Sequence, residues 1–161
     1  MLPLHMPLSA ITAERRGRFD NSSPLTRSLT RGVCRMLTEI GYGPLTEFRL
    51  PNRRRCDVIG LGSGNDFVIV EVKSSVADFR GDSKWPEYLP YCDQFYFAVP
   101  ETFPAHMLPD ECGYMVADSY GAAIRREATE QPLATLRRRR QLLRFALTAS
   151  ERLNRLSDPR G

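Results

Sequence analysis

The stretch 66–75, with the sequence DFVIVEVKSS, constrains the fold more than any other part of the chain. Its consecutive apolar residues, 67–70, predict a central strand that is covered on both faces. Glu71 and Lys73 follow directly, and both lie on one face of the sheet because side chains alternate along a strand. A carboxylate and an ammonium at the end of a buried strand need partners there. The sequence therefore predicts a buried sheet with a polar site at one end of its central strand.

The neighbouring strands bring further acids to this position. If the hairpin before residue 67 turns about the middle of its glycine-rich loop, Asp57 lies directly opposite Glu71, with Cβ atoms about 5 Å apart. The same argument applied to the preceding loop pairs Glu47 with Asp57. One face of the sheet would then carry Glu47, Asp57, Glu71 and Lys73, provided that the register does not slip by one residue.

Such a cluster favours a bound divalent cation. Two carboxylates about 5 Å apart repel each other by about 3 kcal/mol at an effective dielectric constant of 20. Oxygen ligands at this density favour Mg²⁺ or Mn²⁺ over zinc, and a nearby lysine can orient an attacking water or stabilise charge on a phosphorus. The alternative is a surface ion pair between Glu71 and Lys73, with Asp57 as an acid beside a turn. The buried residues before Glu71 and the acid on the neighbouring strand favour the metal site.

The element order predicted from periodicity is helix, three strands, helix, strand, then a hairpin and a last helix. Short loops make the first three strands antiparallel. The predicted strands span 45–50, 56–61, 67–73, 94–99, 112–117 and 122–126, and the helices span 29–40, a short segment near Ser83, and about 133–153. In the last helix, Leu136, Leu143, Leu147 and Leu153 are predicted to be buried.

Composition indicates an ordinary globular protein. The chain has 161 residues, 42% hydrophobic residues and a net charge of +4, which permits a polyanionic partner without requiring one. We expect residues 1–25 to form a flexible tail and residues 26–156 to form a single domain. No apolar run approaches the roughly 20 residues of a membrane-spanning helix, and the scattered cysteines are expected to be reduced thiols in a cytoplasmic protein.

Several polar residues are candidates for nucleic-acid contact. An arginine run leads into the Asp57 strand, and polar residues cluster after the central strand, where phosphate contacts are favourable. The alternatives are a solvated surface for the arginines and helix capping by Ser75 or Ser83. Trp85, Tyr88 and Tyr91 are candidates for stacking on bases, with packing of the short helix onto the sheet as the alternative. The candidates are Arg53, Arg54, Arg55, Ser74, Ser75, Arg80 and Lys84.

Five longer segments of the sequence are more specific than the short patterns described so far. They are RRRCDV at 53–58, IVEVKSSVADFRGDSKWPEY at 69–88, YCDQFYFAVP at 91–100, GYMVADSYGAAIRRE at 113–127 and RRRRQLLRFAL at 137–147. In these segments the chain resembles the MmcB-like DNA repair family, a branch of the PD-(D/E)XK nuclease superfamily. The resemblance covers about two-thirds of the chain and is more specific than a lone Glu-x-Lys.

This resemblance implies an α/β, restriction-endonuclease-like core of the order α-β-β-β-α-β, with a central mixed sheet flanked by helices. It implies bacterial DNA repair, with Asp57 and Glu71 as ligands of Mg²⁺ or Mn²⁺, Lys73 assisting the water and Glu47 as an extra acid. DNA and other repair proteins are the implied partners. Cys56 stands where the superfamily often has a proline. A nuclease fold kept as a non-catalytic DNA-binding or adaptor protein is the main alternative, and a small-molecule enzyme is the weaker one.

Overall fold

The computed structural model describes residues 22–159. Its first helix, α1, spans Pro24–Glu39 and presents a buried apolar stripe that includes Leu29 and Val33. The helix begins five residues before the predicted start because Ser23 caps it: the Ser23 Oγ accepts a hydrogen bond from the Thr26 N–H at 3.1 Å. A proline at the first helical position fits this start.

Most of the predicted tail, residues 1–21, lies outside the described residues. The helix α1 begins inside its last part, at Pro24. The final helix ends at Ser157, one residue beyond the predicted domain boundary. Between residues 22 and 159, no helix is both long and apolar enough to cross a lipid bilayer.

The strands form one mixed sheet of six strands in sequential order. The first three strands are antiparallel, β3 to β5 are parallel, and β6 returns antiparallel to β5. Helices flank this sheet, which confirms the predicted α/β class, and the order of the strands is as predicted. The strands are β1 (Tyr42–Arg49), β2 (Arg55–Gly62), β3 (Phe67–Val72), β4 (Gln94–Val99), β5 (Gly113–Ala117) and β6 (Ala122–Arg126).

The predicted register of the first two hairpins is confirmed. Val58 pairs with Val70 across β2 and β3, so the next residues along, Asp57 and Glu71, meet at the end of the ladder. Across β1 and β2 the pairing also has the predicted register, but it skips Glu47, whose φ is +50°. A left-handed backbone conformation at that residue interrupts the regular alternation.

Alternate side chains of β3 enter two separate cores. Val68 and Val70 face α1, whereas Phe67 and Ile69 face the opposite layer. That opposite layer contains the connection between β3 and β4 and part of the final helix. Glu71 continues the series of Phe67 and Ile69, so the site lies on the side of the sheet that this connection covers.

The connection between β3 and β4 contains more helical structure than predicted. An α-helix, α2, spans Val76–Arg80, and two 3₁₀ helices follow at Trp85–Glu87 and Leu89–Tyr91. Trp85 packs against Phe95 with ring centroids 6.0 Å apart, and Tyr88 also stacks on Phe95 at 6.3 Å. In this structure Trp85 and Tyr88 pack against the sheet, as the alternative interpretation held.

The final helix, α3, spans Thr135–Ser157, and the prediction for its leucines is wrong. The buried residues of α3 are Gln141 and Phe145. Phe145 packs between Phe48 and Phe67, and Arg138 forms an ion pair with Asp93 on the same side of the helix. These contacts turn another face of the helix inward. The predicted core leucines Leu136, Leu143, Leu147 and Leu153 are 60–65% exposed.

Candidate metal and nucleic-acid site

Asp57 and Glu71 are held together by reciprocal hydrogen bonds between β2 and β3. The Asp57 N–H donates to the Glu71 Oε1 at 3.0 Å, and the Val72 N–H donates to the Asp57 Oδ2 at 2.8 Å. Beyond the last backbone pair of β2 and β3, Val58 with Val70, these side-chain hydrogen bonds continue to join the two strands. One oxygen of each carboxylate accepts one of these hydrogen bonds. The second oxygen of each carboxylate accepts no hydrogen bond from residues 22–159.

The surroundings of this pair disfavour two negative charges. Glu71 is only 3% exposed. Burial, together with the charge of Asp57, raises the pKa of the Glu71 carboxyl well above its ordinary value. Burial also raises the pKa of Asp57 to about 6, although the Val72 N–H and the charge of Lys73 oppose the shift. A cation between the free oxygens would therefore stabilise both carboxylates.

Lys73 lies directly after β3, where its N–H donates to the Ala98 carbonyl oxygen at 2.9 Å. Its side chain is largely buried, and the ammonium donates to the Asp82 Oδ2 at 3.0 Å. Burial lowers the pKa of Lys73, but the hydrogen bond to Asp82 and the charge of Glu71 outweigh it, so the pKa lies above its ordinary value. The lysine is therefore charged and is fixed beside the acid pair.

The residues after Lys73 organise the rim of the site. The Asp78 Oδ2 accepts hydrogen bonds from the Ser74 N–H at 3.0 Å and from the Ser74 hydroxyl at 3.3 Å. The Ser75 hydroxyl accepts from the Asp78 N–H at 3.1 Å and so caps α2. In the structure Ser75 is therefore a helix cap, which was the alternative to phosphate contact.

These residues surround an open groove of about 450 Å³, which we call the acidic groove. It is formed by the start of α1, the start of β2, the end of β3 and the connection that follows. Sequence reasoning missed the contribution of α1, although the Ser-Pro pair at 23–24 signals a helix start. The groove is lined by Ser22, Ser23, Thr26, Arg55, Asp57, Glu71, Val72, Lys73, Ser74, Asp78, Asp82 and Tyr88.

Glu47 is not among the residues that line the acidic groove. Its carboxylate forms an ion pair with the Arg55 guanidinium at 2.5 Å. Its backbone is held from α3, since Arg152 donates to the carbonyl oxygens of Thr46 at 2.6 Å and of Glu47 at 3.0 Å. The negative charge of Glu47 nevertheless contributes to the raised pKa of Asp57.

Two of the predicted nucleic-acid contacts, Arg55 and Ser74, line the acidic groove. Arg54 is instead bound to Glu87 by two hydrogen bonds of its guanidinium. The remaining candidates, Arg53, Ser75, Arg80 and Lys84, are exposed but do not line the groove.

The donor set fits a hard cation that keeps part of its hydration shell. Within residues 22–159, no group of three or more His, Cys, Asp or Glu side chains is arranged to hold a metal ion. Asp57 and Glu71 still offer two carboxylate oxygens side by side. Magnesium is commonly bound by one or two carboxylates together with waters and substrate phosphates, so two protein ligands suffice for it.

An α/β protein with a mixed sheet, and with an aspartate and a Glu-x-Lys at the end of its central strand, is compatible with a restriction-endonuclease-like core. The chain belongs to the MmcB-like DNA repair family, since residues 17–160 match the sequence model described as DNA repair protein MmcB-like. It is also similar to a solved structure of a protein of unknown function from Silicibacter pomeroyi. That protein has 43% sequence identity and a TM-score of 0.83, over 88% of this chain and 96% of the other. Among curated proteins, none matches this sequence.

Proposed function

We propose that this protein hydrolyses phosphodiester bonds in DNA, with a divalent metal ion, as part of bacterial DNA repair. Membership in the MmcB-like DNA repair family supports the role in repair. The observation that carries the hydrolytic proposal is the reciprocal bonding of Asp57 and Glu71, which leaves a free oxygen of each carboxylate beside a charged lysine. We further propose a cytoplasmic location, where bacterial DNA lies, and, from the family's role in repair, other repair proteins as partners.

Asp57 and Glu71 would hold the ion, which is Mg²⁺ or Mn²⁺ because both prefer oxygen ligands. When bound, such an ion polarises a phosphate oxygen and lowers the pKa of a water. The role of Glu47 as a third acid stays a prediction, since it requires the carboxylate to leave Arg55.

Lys73 would orient the attacking water and stabilise charge that develops on the phosphate. Its ammonium is held by Asp82, which fixes the direction in which the remaining donors point. Asp82 itself stays ionised: burial raises its pKa, but the hydrogen bonds from Lys73 and from the Lys84 N–H bring the pKa below its ordinary value. Lys73 and Asp82 thus keep opposite charges near neutral pH.

Arg55 and Ser74 are placed at the acidic groove to contact the phosphates next to the cleaved bond. We propose that Arg53, Arg54, Ser75, Arg80 and Lys84 contribute less, through the surface beyond the groove.

The decisive experiment measures cleavage of single-stranded, duplex, flap and junction DNA with Mg²⁺ or Mn²⁺. We expect wild-type cleavage that Asp57→Asn and Lys73→Ala reduce by at least 100-fold while DNA binding is retained. Asp110→Asn is the matched control, because that side chain is fully exposed. Cleavage that persists in Asp57→Asn at the wild-type rate would contradict the proposal.

A second candidate is a DNA-binding or adaptor protein without catalysis. It is favoured by the ion pair between Lys73 and Asp82, and by the absence, within residues 22–159, of a third acid arranged with Asp57 and Glu71 to hold a metal. This function predicts DNA binding without cleavage on every substrate, together with no calorimetric signal for Mg²⁺ or Mn²⁺. Metal binding that Asp57→Asn abolishes would speak against the second candidate.

A further inference from the structure

The exposed side of α3 carries leucines that nothing within residues 22–159 covers. Leu136, Leu143 and Leu147 are 60%, 63% and 61% exposed and recur at helical spacing along one side of the helix. Together with Pro51 and Tyr91 they line a groove of about 970 Å³, which we call the leucine groove. Apolar surface grouped in this way marks an interaction site more often than isolated exposed leucines do.

The leucine groove also has a marked excess of positive charge. Three arginines line it, Arg137, Arg140 and Arg144, against a single acid, Glu151. Glu151 is itself paired with Arg155. Within residues 22–159, neither Arg140 nor Arg144 has a hydrogen-bond or ion-pair partner. The groove therefore combines apolar contacts with two arginines that no acid of the described chain neutralises.

One residue that lines the groove, Gln141, has a buried side-chain oxygen without a hydrogen-bond donor in the described part of the chain. Gln141 is 3% exposed, and its Nε2 donates to the Tyr91 carbonyl oxygen. Its Oε1 is buried and has no donor among the residues that the structure describes. Within residues 22–159, Gln141 therefore leaves one buried acceptor unpaired beside the groove.

From these observations we propose that the leucine groove binds an acidic amphipathic helix of a partner protein. Leu136 and Leu147 are eleven residues apart, which is about 16 Å along a helix, so the groove matches roughly three turns of a bound helix. Apolar side chains of that helix would contact the leucines, and its Asp and Glu side chains would pair with Arg140 and Arg144. This surface shares no residue with the acidic groove, so the proposal is independent of catalysis.

Other occupants fit the groove less well. A second copy of this chain, docked through the same surface about a twofold axis, would bring the arginines of both copies into one interface. DNA would use the arginines but would leave the exposed leucines against a polyanion, without apolar partners. An acidic helix matches both properties at once.

The test selects random 16-residue peptides, displayed as a library, against the immobilised full-length chain. We expect enriched peptides to combine Asp or Glu with apolar residues at positions i, i+4 and i+7. Their affinity, measured by fluorescence anisotropy, should fall at least ten-fold for Leu143→Ser with Leu147→Ser. The control is Leu153→Ser, because Leu153 is 65% exposed on the same helix but does not line the groove.

The charge contribution is tested separately with Arg140→Glu with Arg144→Glu, which also covers the case that the serine pair disturbs folding. This variant should lose the acidic peptides and gain affinity for versions in which Lys replaces Asp and Glu. The proposal is overturned if enriched peptides bind all variants alike, or if sedimentation shows a dimer that the serine pair dissociates. Duplex DNA binding that is lost in the arginine variant and kept in the serine pair also overturns it.

Discussion

A hydrogen bond and burial shift the pKa of Asp57 in opposite directions. Its carboxylate accepts a hydrogen bond from the Val72 N–H, which favours the charged form, yet burial dominates and raises its pKa. The folded protein therefore holds a proton at Asp57 that the unfolded chain releases at lower pH. Without metal, the residue weakens the fold once it is ionised.

This gives a prediction for the pH dependence of stability. Because the pKa of Asp57 rises from 3.8 to about 6 on folding, its contribution to stability is lost as pH rises through that interval. Asp57→Asn removes the loss, so in EDTA the variant should exceed wild type in free energy of unfolding above pH 6, by about 1–3 kcal/mol. Urea unfolding of both proteins from pH 4 to pH 8 measures the difference. A constant difference across that range would contradict the assignment of the raised pKa to Asp57.

Glu47 allows a second test at the level of single residues. Since its carboxylate is paired with Arg55, Glu47→Gln should leave the dissociation constant for Mn²⁺ within about three-fold of wild type, less than 1 kcal/mol. Calorimetric titration with Mn²⁺ measures this, with Asp57→Asn as the reference for complete loss. A loss in Glu47→Gln as large as in Asp57→Asn would instead make Glu47 the third ligand.

At the scale of elements, α1 approaches the hairpin of β5 and β6 at one glycine. A Cβ added to Gly32 would lie 2.0 Å from the Asp118 carbonyl oxygen and 2.5 Å from that of Gly121. Both atoms are backbone, so they cannot move aside without shifting the turn. Gly32 is therefore the point that sets how closely α1 sits on this edge of the sheet.

We predict that Gly32→Ala destabilises the protein by about 1–3 kcal/mol, because the methyl group forces α1 away from the turn. The control is Gly121→Ala, since an added Cβ there meets no atom within 4 Å. Thermal unfolding followed by circular dichroism compares both variants with wild type. Equal melting temperatures for Gly32→Ala and wild type would show that α1 can shift without loss.

The elements also show what could be predicted from the sequence. The registers of β1 to β3 follow from short loops and from alternation, and this suffices to bring Asp57 and Glu71 together. The position of Glu47 could not be predicted in this way, because its positive φ is supported by Arg152, which lies 105 residues further along the chain.

The predicted burial of the α3 leucines is wrong for a related reason. Two faces of that helix have helical periodicity, and hydrophobicity alone favours the one that carries Leu143 and Leu147. The structure buries the other face, because Gln141 binds the Tyr91 carbonyl oxygen and Arg138 binds Asp93. On the same face, Phe145 packs against Phe48 and Phe67. Polar contacts decided the orientation, and periodicity contains no signal for them.

At the scale of the whole molecule, Asp93 joins several parts of the fold. Its carboxylate accepts hydrogen bonds from the Phe67 N–H at 2.6 Å, from the Leu133 N–H at 2.9 Å and from the Arg138 guanidinium. One buried side chain thus connects the start of β3, the start of β4, the segment before α3, and α3 itself. Such an ionic network is costly to break from one side, since the remaining groups stay buried and unpaired.

We therefore predict that Asp93→Ala lowers the free energy of unfolding by about 3–5 kcal/mol. Burial raises the pKa of Asp93, but the hydrogen bonds from Arg138, Phe67 and Leu133 outweigh this and lower it. Its contribution is therefore present at neutral pH and is lost as pH falls below the ordinary value of 3.8. Urea unfolding at pH 7 and at pH 3 should show a difference between variant and wild type that is smaller at pH 3, by up to about 1 kcal/mol. An equal difference at both values would exclude an ionic contribution.

The sheet pairs every strand with its neighbour in sequence, whereas α1 packs across all of its strands, from β1 to β6. During synthesis, α1 therefore emerges from the ribosome before the six strands on which it packs, and the sheet is complete only after β6 has emerged. Until the chain has been synthesised past Arg126, the apolar stripe around Val33 has no finished surface to cover. We expect nascent chains stopped before β5 to bind chaperones through this stripe, and chains released after β6 to bind them far less.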